Sequence, residues 1–152
     1  MSSIGTLQDL LHLDMDAIKA YDQAIKACEH ENVAAQLRLF RSDHERHVRN
    51  LSQELTKLGE KPDARTDVKG FFIEKFTAIT SMGTRTALMS MRGNEQLTTS
   101  RYKAALDLQD LPETTRQIIR NNYADEQRHL EWIKSALDEK VWERGAGAQR
   151  GV

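Results

Sequence analysis

The chain has 152 residues, enough for one domain with a buried core, and its 39% hydrophobic and 30% charged residues are the balance of a soluble helical protein. A net charge of −1 supplies no bulk field to draw nucleic acid or an anionic membrane, so neither is expected as a partner. The single cysteine excludes an intramolecular disulfide and any Cys-x-x-Cys module, and no run approaches the roughly 18 apolar residues of a membrane span. No basic segment followed by an apolar run opens the chain, so the expected location is the cytoplasm.

Residues 4–29 read as the first helix. Leu7, Leu10, Leu11, Asp14, Ile18, Tyr21, Ile25 and Cys28 recur at steps of three and four, the stripe of an amphipathic helix. Asp14 is a carboxylate where an apolar residue belongs. Asp16, Lys19, Asp22, Lys26 and Glu29 fall off the stripe and read as solvated face, and Cys28 reads as a small core residue. A short turn at 30–32 returns a second helix over 33–58, with Leu37, Phe40, His44, His47, Leu51, Leu55 and Leu58 inward. His44 and His47 interrupt its seam, and Gly59 is placed to cap its end.

Residues 59–80 form the longest connection, with Phe71, Phe72 and Phe76 in a short helix or turn that covers the bundle. Twenty residues suffice to travel the length of a bundle, which lets the third helix start where the second starts instead of returning antiparallel. That helix covers 81–109, with Leu88, Met91, Glu95, Thr98, Tyr102 and Ala105 or Leu106 inward; Glu95 is its misplaced carboxylate. Pro112 suits a helix start, and residues 113–139 give the fourth helix, with Ile118 or Ile119, Asn122, Glu126, His129, Ile133 and Leu137 inward. The bundle domain is expected over 1–143, and residues 144–152 have little to bury and read as a disordered tail. His12 and His30, near turns or off the stripes, read as solvated.

The polar interruptions repeat. Asp14 and Glu95 are each followed seven residues later by a tyrosine, Tyr21 and Tyr102. His44-x-x-His47 answers Glu126-x-x-His129, and the offsets between the two hairpins agree, 81 residues from Asp14 to Glu95 and 82 from His47 to His129. Positions i and i+3 share a helical face, so each pair can reach one point in a bundle core. Packed about a pseudo-twofold axis, the two hairpins bring six polar side chains together midway along the bundle.

Over residues 4–140 this pattern resembles the ferritin-like superfamily, the lineage of bacterioferritin, rubrerythrin and several bacterial families. Asp14 to Tyr21 resembles the first-helix motif of a carboxylate ligand followed by tyrosine; Glu126 to Ile133 resembles the last-helix Glu-x-x-His; Glu95 and His47 match the remaining positions. The resemblance implies an all-α ferritin-like four-helix bundle with a long crossover between helices 2 and 3. It also implies metal ligands at Asp14, His47, Glu95, Glu126 and His129, to which His44 adds a nitrogen donor of this chain's own, with iron as the metal and zinc or manganese as alternatives. The activities it implies are those of an iron-dependent oxidase or peroxidase acting with O2 or hydrogen peroxide in oxidative stress, in a chain that pairs as a homodimer.

One position departs from the superfamily pattern. The second-helix glutamate is replaced by His44, so four carboxylates and two histidines become three of each. Carboxylates bridge metals and offset their charge, whereas a neutral imidazole brings no charge. One ion or an asymmetric pair then replaces a symmetric di-iron centre. Asp43, beside His44, lies about 100° around the helix from the inward direction. The alternative reading is a non-enzymatic bundle, a stress or scaffold protein with a metal-free polar core.

Overall fold

The computed structural model describes residues 3–63 and 83–144. Four long helices account for nearly all of them: α1 (Ser3–Ala27), α2 (Glu31–Lys57), α3 (Gly83–Leu106) and α4 (Glu113–Asp138), with a 3₁₀ turn at Val141–Glu143. Neither α2 nor α4 contains Gly or Pro, and the apolar stripes of all four face inward, as the spacing predicts, except at Leu58, which caps α2 and is exposed.

The ends are punctuated locally. Gly59 takes φ +85°, and the N–H groups of Gly59 and Glu60 return to the carbonyls of Thr56 and Leu55 at 3.0 and 2.9 Å, a Schellman closure of α2. Pro112 precedes α4 and offers no capping side chain. Glu54 of α2 stands there instead, buried, accepting from the Thr115 hydroxyl at 2.5 Å and the Thr114 hydroxyl at 3.3 Å. A carboxylate at that end suits the helix dipole.

Side-chain pairs give the directions. Asp22 meets Arg41 across α1 and α2, and Asp14 meets His47, so those helices run antiparallel. The Leu106 carbonyl accepts from Arg116, and Tyr102 meets Asn122, so α3 and α4 also run antiparallel. The Glu29 N–H donates to the Thr84 hydroxyl at 2.9 Å, placing the start of α3 beside the start of α2. The order is therefore up, down, down, up, and the end of α2 and the start of α3 lie at opposite ends of the bundle. Most of that link, with Phe71, Phe72 and Phe76, lies outside the described residues, as does the tail from 145 onward.

The core divides into two apolar clusters. One gathers Ala20, Ala24, Val33, Leu37, Phe40, Leu88, Met91 and Ile133; the other gathers Leu7, Leu10, Leu11, Leu51, Leu55, Ala105 and Ile119. A fully buried leucine or methionine contributes about 1.5–3 kcal/mol, and these layers offset the cost of the polar layer between them.

Several positions differ from the periodic reading. Alanines 17, 20 and 24 fill the tight face of α1, while Ile18, Ile25 and Cys28 are only half-buried. Asp16, expected in solvent, is buried, because α1 is covered by both α2 and α3 and little of its surface remains free. His12 and His30 are also half-buried; the His12 ring reaches Asp63 at 3.5 Å. Ile119 and Ala105, rather than Ile118 and Leu106, take the innermost positions. No described helix is long and apolar enough to cross a membrane.

Candidate metal centre

Asp14 on α1, His44 and His47 on α2, Glu95 on α3, and Glu126 and His129 on α4 are all fully buried, between the two apolar clusters. The bundle brings all six together. Their ligating atoms form two overlapping quartets, each within 4.8 Å: Asp14, His44, His47 and Glu126, and His44, Glu95, Glu126 and His129. His44 and Glu126 belong to both.

The first half is built on Asp14. Its Oδ1 lies 2.7 Å from His44 Nδ1 and 3.0 Å from His47 Nδ1, and its Oδ2 accepts from the Tyr102 hydroxyl. The second half is built on Glu95. Its Oε2 lies 3.0 Å from both His44 Nε2 and His129 Nδ1 and accepts from the Tyr21 hydroxyl, while Thr98 donates to its Oε1 at 3.0 Å. Each tyrosine thus serves the carboxylate of the other hairpin, although sequence places it seven residues from its own. Antiparallel packing of α1 on α3 is the reason: seven residues up one helix lie opposite the carboxylate of the other. His44 presents one ring nitrogen to each half.

Outside the six lies a layer that periodicity alone did not single out. His129 Nε2 donates to Asp43 at 2.8 Å, and His47 Nε2 donates to Asp125 at 2.9 Å. Arg46 and Arg128 each contact both aspartates and close a ring across α2 and α4. Asp43 needs no helix rotation to take part, because its partner is the histidine of the facing helix. A signal was available in the sequence: Asp-His-Glu-Arg-His over 43–47 and Asp-Glu-Gln-Arg-His over 125–129 both place Asp four residues before His and Arg one before. With Nε2 committed to an aspartate, Nδ1 of each histidine is the atom left facing the centre.

The electrostatics follow from burial and crowding. Burial works against charge at His44, yet the carboxylates of Glu126, Glu95 and Asp14 outweigh it and hold its pKa well above the usual value. His47 is likewise pushed up to about 9, burial being overcome by Asp14 and Asp125. Against burial, His47 and His44 keep the Asp14 pKa low, and His44 foremost keeps that of Glu95 low. Glu126 goes the other way: burial and the neighbouring Glu95 charge raise it well above the carboxylate range. Its Oε1 makes no hydrogen bond; the nearest donors, Nδ1 of His47 and His44, stand at 3.2 and 3.5 Å. A buried carboxylate with one oxygen left in that condition, on a residue grouped with three imidazoles and two other carboxylates, suits a cation between them.

The family described as a domain of unknown function (DUF2383) matches residues 2–108. The chain belongs to this family. The match takes in α1, α2 and α3, so in this DUF2383 protein Glu126 and His129 lie beyond the matched stretch, on α4. No curated protein matches the sequence. Among solved structures, a dodecameric thioferritin, the bacterioferritin-related protein from Bacteroides fragilis, is similar over 92% of this chain and 86% of its own, with a TM-score of 0.78 and 16% identity. At that identity the likeness speaks for the fold, and the DUF2383 chain is a ferritin-like four-helix bundle.

Proposed function

We propose that the buried centre holds a transition metal, iron in the first place with zinc or manganese as alternatives. The observation that carries this reading is Glu126, fully buried and common to both donor quartets, with its Oε1 left without a hydrogen bond. The donor set fits: carboxylate oxygens with imidazole nitrogens are ligands of iron, manganese and zinc alike. Asp14 and His47 would hold an ion in one half and Glu95 and His129 in the other, with Glu126 and His44 between. Iron bound there would supply one-electron and oxygen chemistry, and reaction with O2 or hydrogen peroxide in oxidative stress is the activity that fits a ferritin-like centre. The chain's own residues would fix the ligand atoms through Asp43 and Asp125, donate hydrogen bonds through Tyr21, Tyr102 and Thr98, and exclude bulk water with the apolar clusters.

The test is metal content by ICP-MS after anaerobic iron loading of protein purified without affinity metal, together with the melting temperature. A resident site shows near-stoichiometric metal and a melting point that rises with it. Less than about 0.2 equivalents of any transition metal overturns the reading.

A second reading, a stress or scaffold protein with a metal-free core, draws on one observation. His44 lies 2.7 Å from Asp14 and 3.0 Å from Glu95, the arrangement an imidazolium would adopt as the centre's own cation. Metal-independent melting would favour it. The homodimer expected from the sequence and the dodecamer reported for the thioferritin make self-assembly in the cytoplasm part of the proposal, read by light scattering.

A further inference from the structure

The two halves of the centre share a plan but are not covered alike. The offset of 82 residues that relates α2 to α4 pairs Phe40 with Asn122 and Asn50 with Trp132. Over the Glu95–His129 half, Phe40 stacks on His129 with ring centroids 4.2 Å apart, and Trp132 meets Phe40 edge-on at 5.7 Å. Over the Asp14–His47 half stand two amides. Asn50 donates to Asn122 Oδ1 at 2.9 Å, Asn122 donates back at 3.1 Å, and Asn122 also donates to the Tyr102 hydroxyl at 3.2 Å. Tyr102 in turn donates to Asp14.

A continuous line of hydrogen bonds therefore runs from half-buried Asn50, through buried Asn122 and Tyr102, to the carboxylate of one half. Tyr21 in the other half meets Phe40, His44 and His129 instead. The charged ring of Asp43, Arg46, Asp125 and Arg128 bears on both halves alike, so the contrast lies in what flanks it: amides keep their end of the seam wettable, whereas a stacked aromatic pair does not. The seam is also the least intimate contact among neighbouring helices, α2 against α4.

We propose that the Asn50–Asn122 pair is the polar entry by which water and a hydrated divalent cation reach the Asp14–His47 half, while Phe40 and Trp132 close the Glu95–His129 half. What the entry admits rests on the metal-binding reading; that it admits water does not. The centre is then asymmetric by construction: one half exchanges its ligands with solvent, and the other is filled through it.

Two measurements on the full chain test this. Hydroxyl-radical footprinting of the metal-free protein, read by mass spectrometry, should oxidise Tyr102 ahead of Tyr21 although both rings are fully buried. Asn50→Leu should abolish the preference. Asn50 is half-buried and its hydrogen bonds go to Asn122 rather than to either tyrosine, so the substitution leaves the six donor side chains and both tyrosines unaltered. In stopped-flow uptake of Co2+, Asn50→Leu should slow association and release together by about tenfold with affinity held within about twofold, and Asn50→Ala should accelerate both, as a gate requires. Equal oxidation of the two tyrosines, or a preference indifferent to Asn50→Leu, overturns the entry. So does a Leu variant that changes affinity at an unchanged rate. Failure of the wild type to take up Co2+ or iron overturns the metal reading, and the footprint still decides the entry.

Discussion

Asp43 on α2 and His129 on α4 are joined across the bundle at 2.8 Å, and the pair is mirrored by Asp125 and His47 at 2.9 Å. Each histidine is thus held by the helix opposite its own. Residues that orient a metal-binding histidine typically govern metal affinity by about 10–100-fold. Asp43→Asn and Asp125→Asn should each weaken binding of Fe2+ or Co2+ by that amount, read by isothermal titration, with helicity unchanged. Since both aspartates sit in one ring with Arg46 and Arg128, the double variant should fall short of the summed losses.

His44→Glu restores the fourth carboxylate of the superfamily pattern. It adds negative charge between the halves and removes the imidazole that contacts both Asp14 and Glu95. The expected outcome is a second equivalent of bound metal, or a clear gain in affinity for it, by ICP-MS and titration. In the metal-free state the same variant should melt lower, because a buried carboxylate has replaced the cation facing Asp14 and Glu95. Lower metal uptake in this variant would count against His44 standing between two sites.

The metal-free protein should lose stability in alkali. The His47 pKa is raised from 6.5 to about 9 in the fold. A raised histidine stabilises fully below its unfolded pKa and loses that contribution as pH climbs through the folded value. Melting temperature of chelator-treated protein should therefore decline between about pH 7 and 9, with His44 extending the loss in the same direction. His47→Gln should flatten the profile over this window. Towards acid the sign reverses, since the lowered Asp14 and Glu95 give up their contribution as pH falls below the ordinary carboxylate range.

Local structure makes a separate prediction. Gly59 ends α2 at φ +85° with no atom crowding the position of a Cβ, so Gly59→Ala tests backbone strain alone. It should cost about 1–2 kcal/mol in chemical denaturation. Leu51→Ala, at a fully buried position beside the polar layer, should cost about 2–5 kcal/mol through the cavity it leaves.

Periodicity in the sequence determined the helices, the direction each side chain takes from its own axis, and the six polar positions that interrupt the apolar stripes. The matched hairpin offsets also pointed to the pseudo-symmetry, and the length of the link after Gly59 allowed the up-down-down-up order, which the contact of Glu29 with Thr84 decides. Only the tertiary structure decided the partnerships. A helix fixes where a side chain points, but which atom it meets depends on the spacing and facing of a second helix. That is why Tyr21 serves Glu95 rather than Asp14, why Asp16 is covered, and why Asp43 holds His129 from a position about 100° off the inward line of its own helix. It is also why Phe40 and Trp132 differ in effect from Asn50 and Asn122: the contrast exists only once α2 and α4 face each other across the centre.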